Sequence, residues 1–313
     1  MLSYVIRRVL ATLPVMGVVA VIVFLMLRLS PGDPAAIIAG DNATTADIIM
    51  IRERLGLDRP LAEQFVRWLG QLVSGDFGNS IYLERPVLGL IAERVEPTLA
   101  LAVSTMAFAI VLALPMGVLA AWRAGSWIDQ AIMALSVLAF SVPVFLIGYG
   151  LVIGLSLEME LLPVQGFVSL WDDPLAFLAH LVLPTVALGL VYTALLARIT
   201  RATMLETLNE DFIRTARAKG LAETRVLILH ALKNASVPIV TTIGTGIALL
   251  IGGVVVTESV FAIPGIGRLT IDAVLQRDYP VIQGVILVIA GVYVLVNLAI
   301  DLTYSFLDPR IRY

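Results

Sequence analysis

The chain has 313 residues, of which 59 % are hydrophobic and 14 % charged, with a formal net charge of −3 and no cysteine. A soluble domain is about 45–50 % apolar and about 25 % charged, so this much apolar surface, with a mean hydropathy of +0.96, has to face lipid. The lack of cysteine excludes a disulfide scaffold, thiol catalysis and thiolate metal sites, and the slight acidity leaves no global basic field for nucleic acid.

A bilayer core about 30 Å thick takes about 20 apolar residues of helix. Six stretches qualify, residues 9–27, 98–121, 132–155, 177–197, 237–257 and 281–300, and the chain is predicted to be an all-α polytopic membrane protein. Arg7 and Arg8 precede the first stretch as in a signal peptide. Its apolar run is too long for one and no small-residue cleavage site follows, so it is predicted to be a retained helix. Residues 29–97 come next. Ser30-Pro31-Gly32-Asp33-Pro34 makes a rigid exit, residues 47–55 and 61–73 have helical spacing, Gly56 suits a stop and Pro60 a start. Gly75-Asp76-Phe77-Gly78 then turns the chain. These residues are predicted to form a small helical cap over the external face.

Pro14, Pro115, Pro143 and Pro184 fall inside the first four stretches, where proline bends a membrane helix. Gly148, Gly150 and Gly154 in the third, and Gly244, Ala248 and Gly252 in the fifth, have the small-residue spacing of close helix packing. Ser141, Tyr192, Thr241, Thr242 and Thr245 are the candidates for lining a wet path, although hydroxyls in membrane helices also bond within and between helices.

Orientation follows the basic residues. Arg198, Arg201, Arg214, Arg217, Lys219, Arg225 and Lys233 lie between the fourth and fifth stretches, whereas the loop between the third and fourth has only Glu158, Glu160, Asp172 and Asp173. Both termini are therefore expected in the cytoplasm and residues 29–97 outside. The expected organisation is residues 1–28 as tail and first membrane helix, 29–97 as a helical outer segment and 98–313 as a five-helix membrane core with a cytoplasmic loop at 198–236.

Catalytic chemistry is not encoded in recognisable form. There is no G-x-x-x-x-G-K-[ST]: the lysines, Lys219 and Lys233, follow Ala218 and Leu232. The histidines are His180 and His230, and no G-x-S-x-G occurs. The chain is expected not to be an enzyme and to hold neither cofactor nor metal. Glu258 and Asp301, near the ends of the fifth and sixth stretches, read as structural or hydrated acids rather than an ion-coupling site.

The most informative segment is the cytoplasmic loop. Glu206, Glu210 and Asp211 are followed by Arg214, Arg217, Lys219 and Gly220, an acid-to-base order that suits a helix dipole with glycine as its C-cap. A second helix, about residues 223–232, sets Val226, Leu229 and Leu232 on one side. The resulting elbow offers Phe212, Ala216 and Leu221 beside basic residues. By pattern alone it either docks a cytoplasmic partner or lies on lipid headgroups.

Asp211-Phe212-Ile213-Arg214-Thr215-Ala216-Arg217-Ala218-Lys219-Gly220-Leu221, with His230-Ala231-Leu232-Lys233-Asn234 after it, resembles the EAA coupling loop of bacterial ABC importer permeases, most closely the dipeptide/oligopeptide branch. Gly220 and Leu232 keep their places in that motif; Arg214 and Thr215 stand where Glu and the first Ala occur, and His230 and Lys233 where Ile and Pro do. Similar to the same branch are Arg28-Leu29-Ser30-Pro31-Gly32-Asp33-Pro34, Gly56-Leu57-Asp58-Arg59-Pro60-Leu61, Gly75-Asp76-Phe77-Gly78-Asn79-Ser80, Glu258-Ser259-Val260-Phe261, Pro264-Gly265-Ile266-Gly267, Arg277-Asp278-Tyr279-Pro280 and Leu307-Asp308-Pro309-Arg310.

The resemblance implies the type I ABC importer permease fold, a six-span subunit of the bacterial inner membrane. Its partners would be a second permease, two cytoplasmic ATPases that bind ATP and Mg, and an external solute-binding protein. Carried onto this sequence, ATPase coupling falls to Arg214, Thr215, Ala216, Arg217, Ala218, Lys219, Gly220, Leu221 and His230. Ala216 and Ala218 would allow close approach, Arg217 and Lys219 would add charge at the rim, and Gly220 would give the sharp turn. The rival expectation, a self-sufficient secondary carrier or channel, calls for inverted repeats and mid-membrane broken helices, and neither is evident in the sequence.

Overall fold

The computed structural model describes residues 2–29, 35–36, 44–54 and 57–307. The expected exit at residues 30–34, the stop at Gly56 and the ending from Asp308 lie outside the described residues. The described chain is helical, with an isolated bridge between Asn79 and Pro86. Its helices are α1 (Leu2–Leu29), α2 (Thr45–Arg54), α3 (Leu61–Val73), α4 (Val87–Trp122), α5 (Trp127–Ser141), α6 (Val144–Leu151, continuing π-helically over Val152–Glu158), α7 (Pro174–Leu208), α8 (Asp211–Ala218), α9 (Glu223–Arg225, continuing π-helically over Val226–Leu232), α10 (Ser236–Gly253), α11 (Val255–Val260), α12 (Ile266–Leu275) and α13 (Tyr279–Leu307).

Helix starts follow local chemistry. Pro60 precedes α3, where a missing N–H costs nothing. The Asp173 carboxylate accepts from the amides of Leu175 and Ala176 at the head of α7, with Pro174 in the first turn. Among the described residues α4, α7 and α13 are each long and apolar enough to cross a membrane, and α5–α6 and α9–α10 qualify as bent pairs. α1 adds the apolar stretch Leu10–Met26. These candidates are consistent with six spans.

The third span is not one bent helix. α5 and α6 meet at 95°, far more than a proline kink, because Val142 is extended and Pro143 caps a new helix. Pro14, Pro115 and Pro184, by contrast, sit inside continuous helices.

The chain divides into two compact units, Leu2–Arg94 with Leu269–Val294, and Val95–Arg268 with Leu295–Tyr313. In the first, α3 runs back beside α1. The Arg28 guanidinium stacks on Phe24, 3.5 Å from the ring centroid, and donates from Nε to Gln64 at 3.0 Å. Phe24 meets Phe65 and Trp68 with ring centroids 5.1 and 5.5 Å apart. Trp68, Leu72 and Phe77 pack on Ala20, Val23 and Leu287. The buried Asp278 carboxylate accepts from the Ser80 hydroxyl and from the Ile81 amide at 3.2 Å, tying the turn before α4 to the head of α13. In the second unit α5 and α6 pack along α7, and α10 packs on α7 as well.

Candidate functional site

The elbow between α7 and α10 ends α8 with a Schellman motif. Gly220 donates its N–H to the Arg217 carbonyl at 2.9 Å and Leu221 to the Ala216 carbonyl at 3.4 Å, with Gly220 at φ +74°. This is the left-handed conformation that glycine adopts without a Cβ penalty. Open space surrounds the position a Gly220 Cβ would take, so backbone conformation and not crowding calls for glycine here.

Ile213, Ala216, Val226, Leu227 and Ala231 of the elbow join Ala121 of α4, Met204 of α7, and Ala235 and Ile239 in one buried cluster. The elbow is thereby fixed to the ends of α4, α7 and α10. Two expectations are corrected by this packing. Ala216 faces inward, 7 % exposed, and gives no small contact on the outer face. Val226, Leu229 and Leu232 do not share one side: Val226 is buried and Leu229 is 49 % exposed. The π-helical turn, bonded i to i+5, rotates the register away from the 3.6-residue spacing assumed from sequence and brings Ala231 inward.

Phe212, Arg214, Thr215, Arg217, Ala218, Lys219 and Gly220 are exposed, and Leu221 and His230 are half-buried. Arg217 is not free at the rim. It reaches across the Gly220 turn to Glu223 in two hydrogen bonds, Nε to Oε2 at 3.2 Å and Nη2 to Oε1 at 2.6 Å. These bonds hold the Arg217 guanidinium above its ordinary pKa. Bidentate pairing of this kind fixes geometry as well as charge.

The candidate path residues are scattered over α5, α7 and α10, and their hydroxyls mostly bond within their own helices. Ser141 donates to the Val137 carbonyl at 2.7 Å, Thr241 to Val237 at 2.7 Å, Thr242 to Pro238 at 2.9 Å and Thr245 to Thr241 at 2.9 Å. Ser141 and Thr245 are exposed, while Tyr192 is half-buried beside Gly246. Gly148 packs against Phe261, but Gly150 and Gly154 face open space.

Two acid sites carry more structure than their sequence contexts suggest. Glu258 is fully buried; its carboxylate accepts from the Thr98 hydroxyl at 2.7 Å and from the Arg268 amide at 2.9 Å. It is a structural acid. Asp129 was not singled out by any motif, yet it takes both prongs of Arg201, at 2.5 and 2.7 Å, with its side chain 5 % exposed. Among the described residues no cluster of three or more His, Cys, Asp or Glu could hold a metal.

Residues 113–313 match the family described as binding-protein-dependent transport system inner membrane component, and residues 1–113 match its N-terminal companion family. The chain is 51 % identical over 310 residues to a protein of Sinorhizobium fredii named a probable peptide ABC transporter permease, covering 99 % of each. It is 43 % identical over 314 residues to the glutathione transport system permease protein of Escherichia coli K12, covering 100 % of each. An inward-facing structure of the MetNI methionine ABC transporter shares the fold at TM-score 0.57 and 20 % identity, over 71 % of this chain and 97 % of that one.

Proposed function

The chain belongs to the family of binding-protein-dependent transport system inner membrane components, and on that premise we propose that it forms, with a second permease, the path by which an ABC importer moves dipeptides, oligopeptides or similar small solutes. Separate cytoplasmic ATPases, which bind the ATP and Mg, drive it, and an external solute-binding protein delivers cargo. Both termini and the elbow lie in the cytoplasm, in keeping with the excess of Arg and Lys there.

The observation that carries this reading is the elbow's two-sidedness. One side is fixed in a buried cluster shared with α4, α7 and α10; the other presents Phe212, Arg214, Thr215, Ala218 and Lys219 outward. A stiff element of this kind can pass a push from a partner to three membrane helices at once. A headgroup-bound hairpin needs no such anchorage.

Tagging the chain, solubilising native membranes in mild detergent and identifying what co-purifies tests the proposal. Recovery of ATPase subunits and a second permease is expected; recovery of this chain alone under several mild detergents would return the weight to an autonomous carrier. Gly220→Val is expected to insert normally but uncouple transport from ATP hydrolysis. A β-branched residue in the left-handed region costs about 1–3 kcal/mol locally, enough to reshape the elbow without unfolding the membrane core. Normal uptake with normal ATPase stimulation would sink the lever.

Glu223→Gln makes a milder test. The Arg217–Glu223 pair is 43 % and 35 % exposed by side chain, so its loss should cost under about 1 kcal/mol of stability. Solute moved per ATP hydrolysed in proteoliposomes should nevertheless fall, because the bracing across Gly220 is gone. An unchanged ratio would reduce the pair to surface decoration.

A further inference from the structure

The contacts of α3 fix how deep it reaches. Gln64 lies at Arg28, Phe65 and Trp68 at Phe24, and Leu72 in the cluster of Ala20 and Val23. Farther along, Leu69 and Val73 share an apolar cavity of about 440 Å³ with Leu13, Met16 and Gly17. The turn after α3 comes back at the same level: Phe77 stands 3.4 Å from where a Gly284 Cβ would be and packs near Leu287, well inside α13.

The apolar run of α1 lies between Arg8 and Arg28, residues 9–27, close to the length of about 20 residues that a crossing takes. Were the tip at residues 74–78 outside the bilayer, α1 from Ala20 onward would be outside with it. About ten apolar residues would remain, ~15 Å of helix, half of what a crossing needs. The tip therefore lies at membrane depth, roughly 9–12 Å in by the rise per residue.

α3 has three faces. Phe65, Trp68 and Leu72 pack on α1. Ala62, Val66, Leu69 and Val73 form an exposed apolar stripe, with Val66 67 % and Val73 84 % exposed. Glu63, Arg67, Gln71 and Ser74, at successive turns of the remaining face, are all exposed, and the stripe continues into exposed Asp76. Irregular backbone and exposed polar groups at membrane depth do not face lipid; they line water or are covered by protein.

We propose that α3 and residues 74–78 form a re-entrant loop that dips into the membrane and lines a water-filled vestibule, its Glu63-to-Asp76 stripe facing the water and its Val66-to-Val73 stripe facing acyl chains. This rests on the permease reading only in that α1 crosses the bilayer.

The chain has no native cysteine, so single cysteines report cleanly. In native membranes holding the whole transporter, Gln71→Cys and Asp76→Cys are expected to react with a membrane-impermeant maleimide at least tenfold faster than Val66→Cys and Val73→Cys. A bimane fluorophore on Val73→Cys should be quenched by lipids spin-labelled in the acyl chain. Equal labelling at all four positions without quenching would place the loop in bulk water and overturn the proposal. Protection of Gln71→Cys and Asp76→Cys until detergent is added would show the stripe covered by another subunit and overturn it too. All four positions are exposed; Asp76 also accepts from the Gly78 amide of its own turn at 2.9 Å, so Gln71→Cys carries the test should that turn loosen. None of these readouts needs ATPase or cargo, so a chain that failed to import would still report where the loop lies.

Discussion

Gly265→Ala is expected to be among the most damaging single substitutions in the chain, although it adds one methyl group. The turn that leads from α11 into α12 is wrapped around the Glu258 side chain, and a Cβ at position 265 would overlap its carboxylate. At Gly267 a Cβ would stand 3.0 Å from the same carboxylate and 3.0 Å from the Val255 Cα. The carboxylate cannot swing aside. It is fully buried and holds the Thr98 hydroxyl at 2.7 Å and the Arg268 amide at 2.9 Å, while the Thr98 oxygen in turn accepts the Ile266 amide at 2.8 Å. Overpacking costs about 1–3 kcal/mol, and each displaced hydrogen bond to a charged group about 1.5–3 kcal/mol. A loss of about 3 kcal/mol or more is expected, read as a lower thermal midpoint in detergent. Gly220→Ala, at an open site, should cost far less. If Gly265→Ala is as mild, the turn is not built on the carboxylate. Glu258→Ala should partly rescue Gly265→Ala, since it removes the atoms the new methyl would strike, and a double-mutant cycle would measure that coupling.

What sequence could and could not reveal divides along the range of the interactions. The start of α3 at Pro60 and the stop of α8 at Gly220 were legible because a cap is decided by a few neighbouring residues. The exposure of Leu229 was not, because a π-helical turn carries no recognised spacing and the periodicity argument presumes 3.6 residues per turn. The inward turn of Ala216 was not, because it is set by a cluster with Ala121 and Met204, which come from other helices. Nor was the 95° break at residues 142–143, where an ordinary proline kink was expected. The acids were hardest. Glu258 finds Thr98 at a separation of 160 residues, and Asp278 finds Ser80 at 198; a single sequence says which acids are costly in a membrane but not which donor offsets the cost. The same limit hid the course of α3. Its helical spacing was plain, but that it doubles back along α1 depends on Phe24 and Ala20, residues that by composition simply belong to a membrane span, and on Arg28 at the end of that span.

Asp129→Asn should destabilise the chain by about 2–3 kcal/mol, below the range of about 3–5 kcal/mol for breaking a fully buried ion pair, because the Arg201 side chain is 28 % exposed. Asp129 is 3 % exposed. Its carboxylate receives two hydrogen bonds from Arg201 and a third from the Gly125 amide at 2.9 Å, so an amide would turn a donor toward a donor and leave a guanidinium short of its counter-charge. The pair also sits where it can matter for transport. It ties the start of α5 to α7, and Arg201 lies one turn before Met204 in the cluster that anchors the elbow. In the proposed lever, a push on the elbow would reach α5, and the break between α5 and α6, through this contact as well as through packing. Asp129→Asn is expected to lower both the thermal midpoint and the solute moved per ATP in the fraction that remains assembled. Arg201→Gln added to Asp129→Asn should recover much of the stability, because a matched neutral pair leaves no stranded charge, and should not recover the coupling if the ionic clamp is what transmits the motion. Recovery of both would make the pair a fixture of the fold alone. A loss below about 1 kcal/mol from Asp129→Asn would put it with exposed pairs, against its burial.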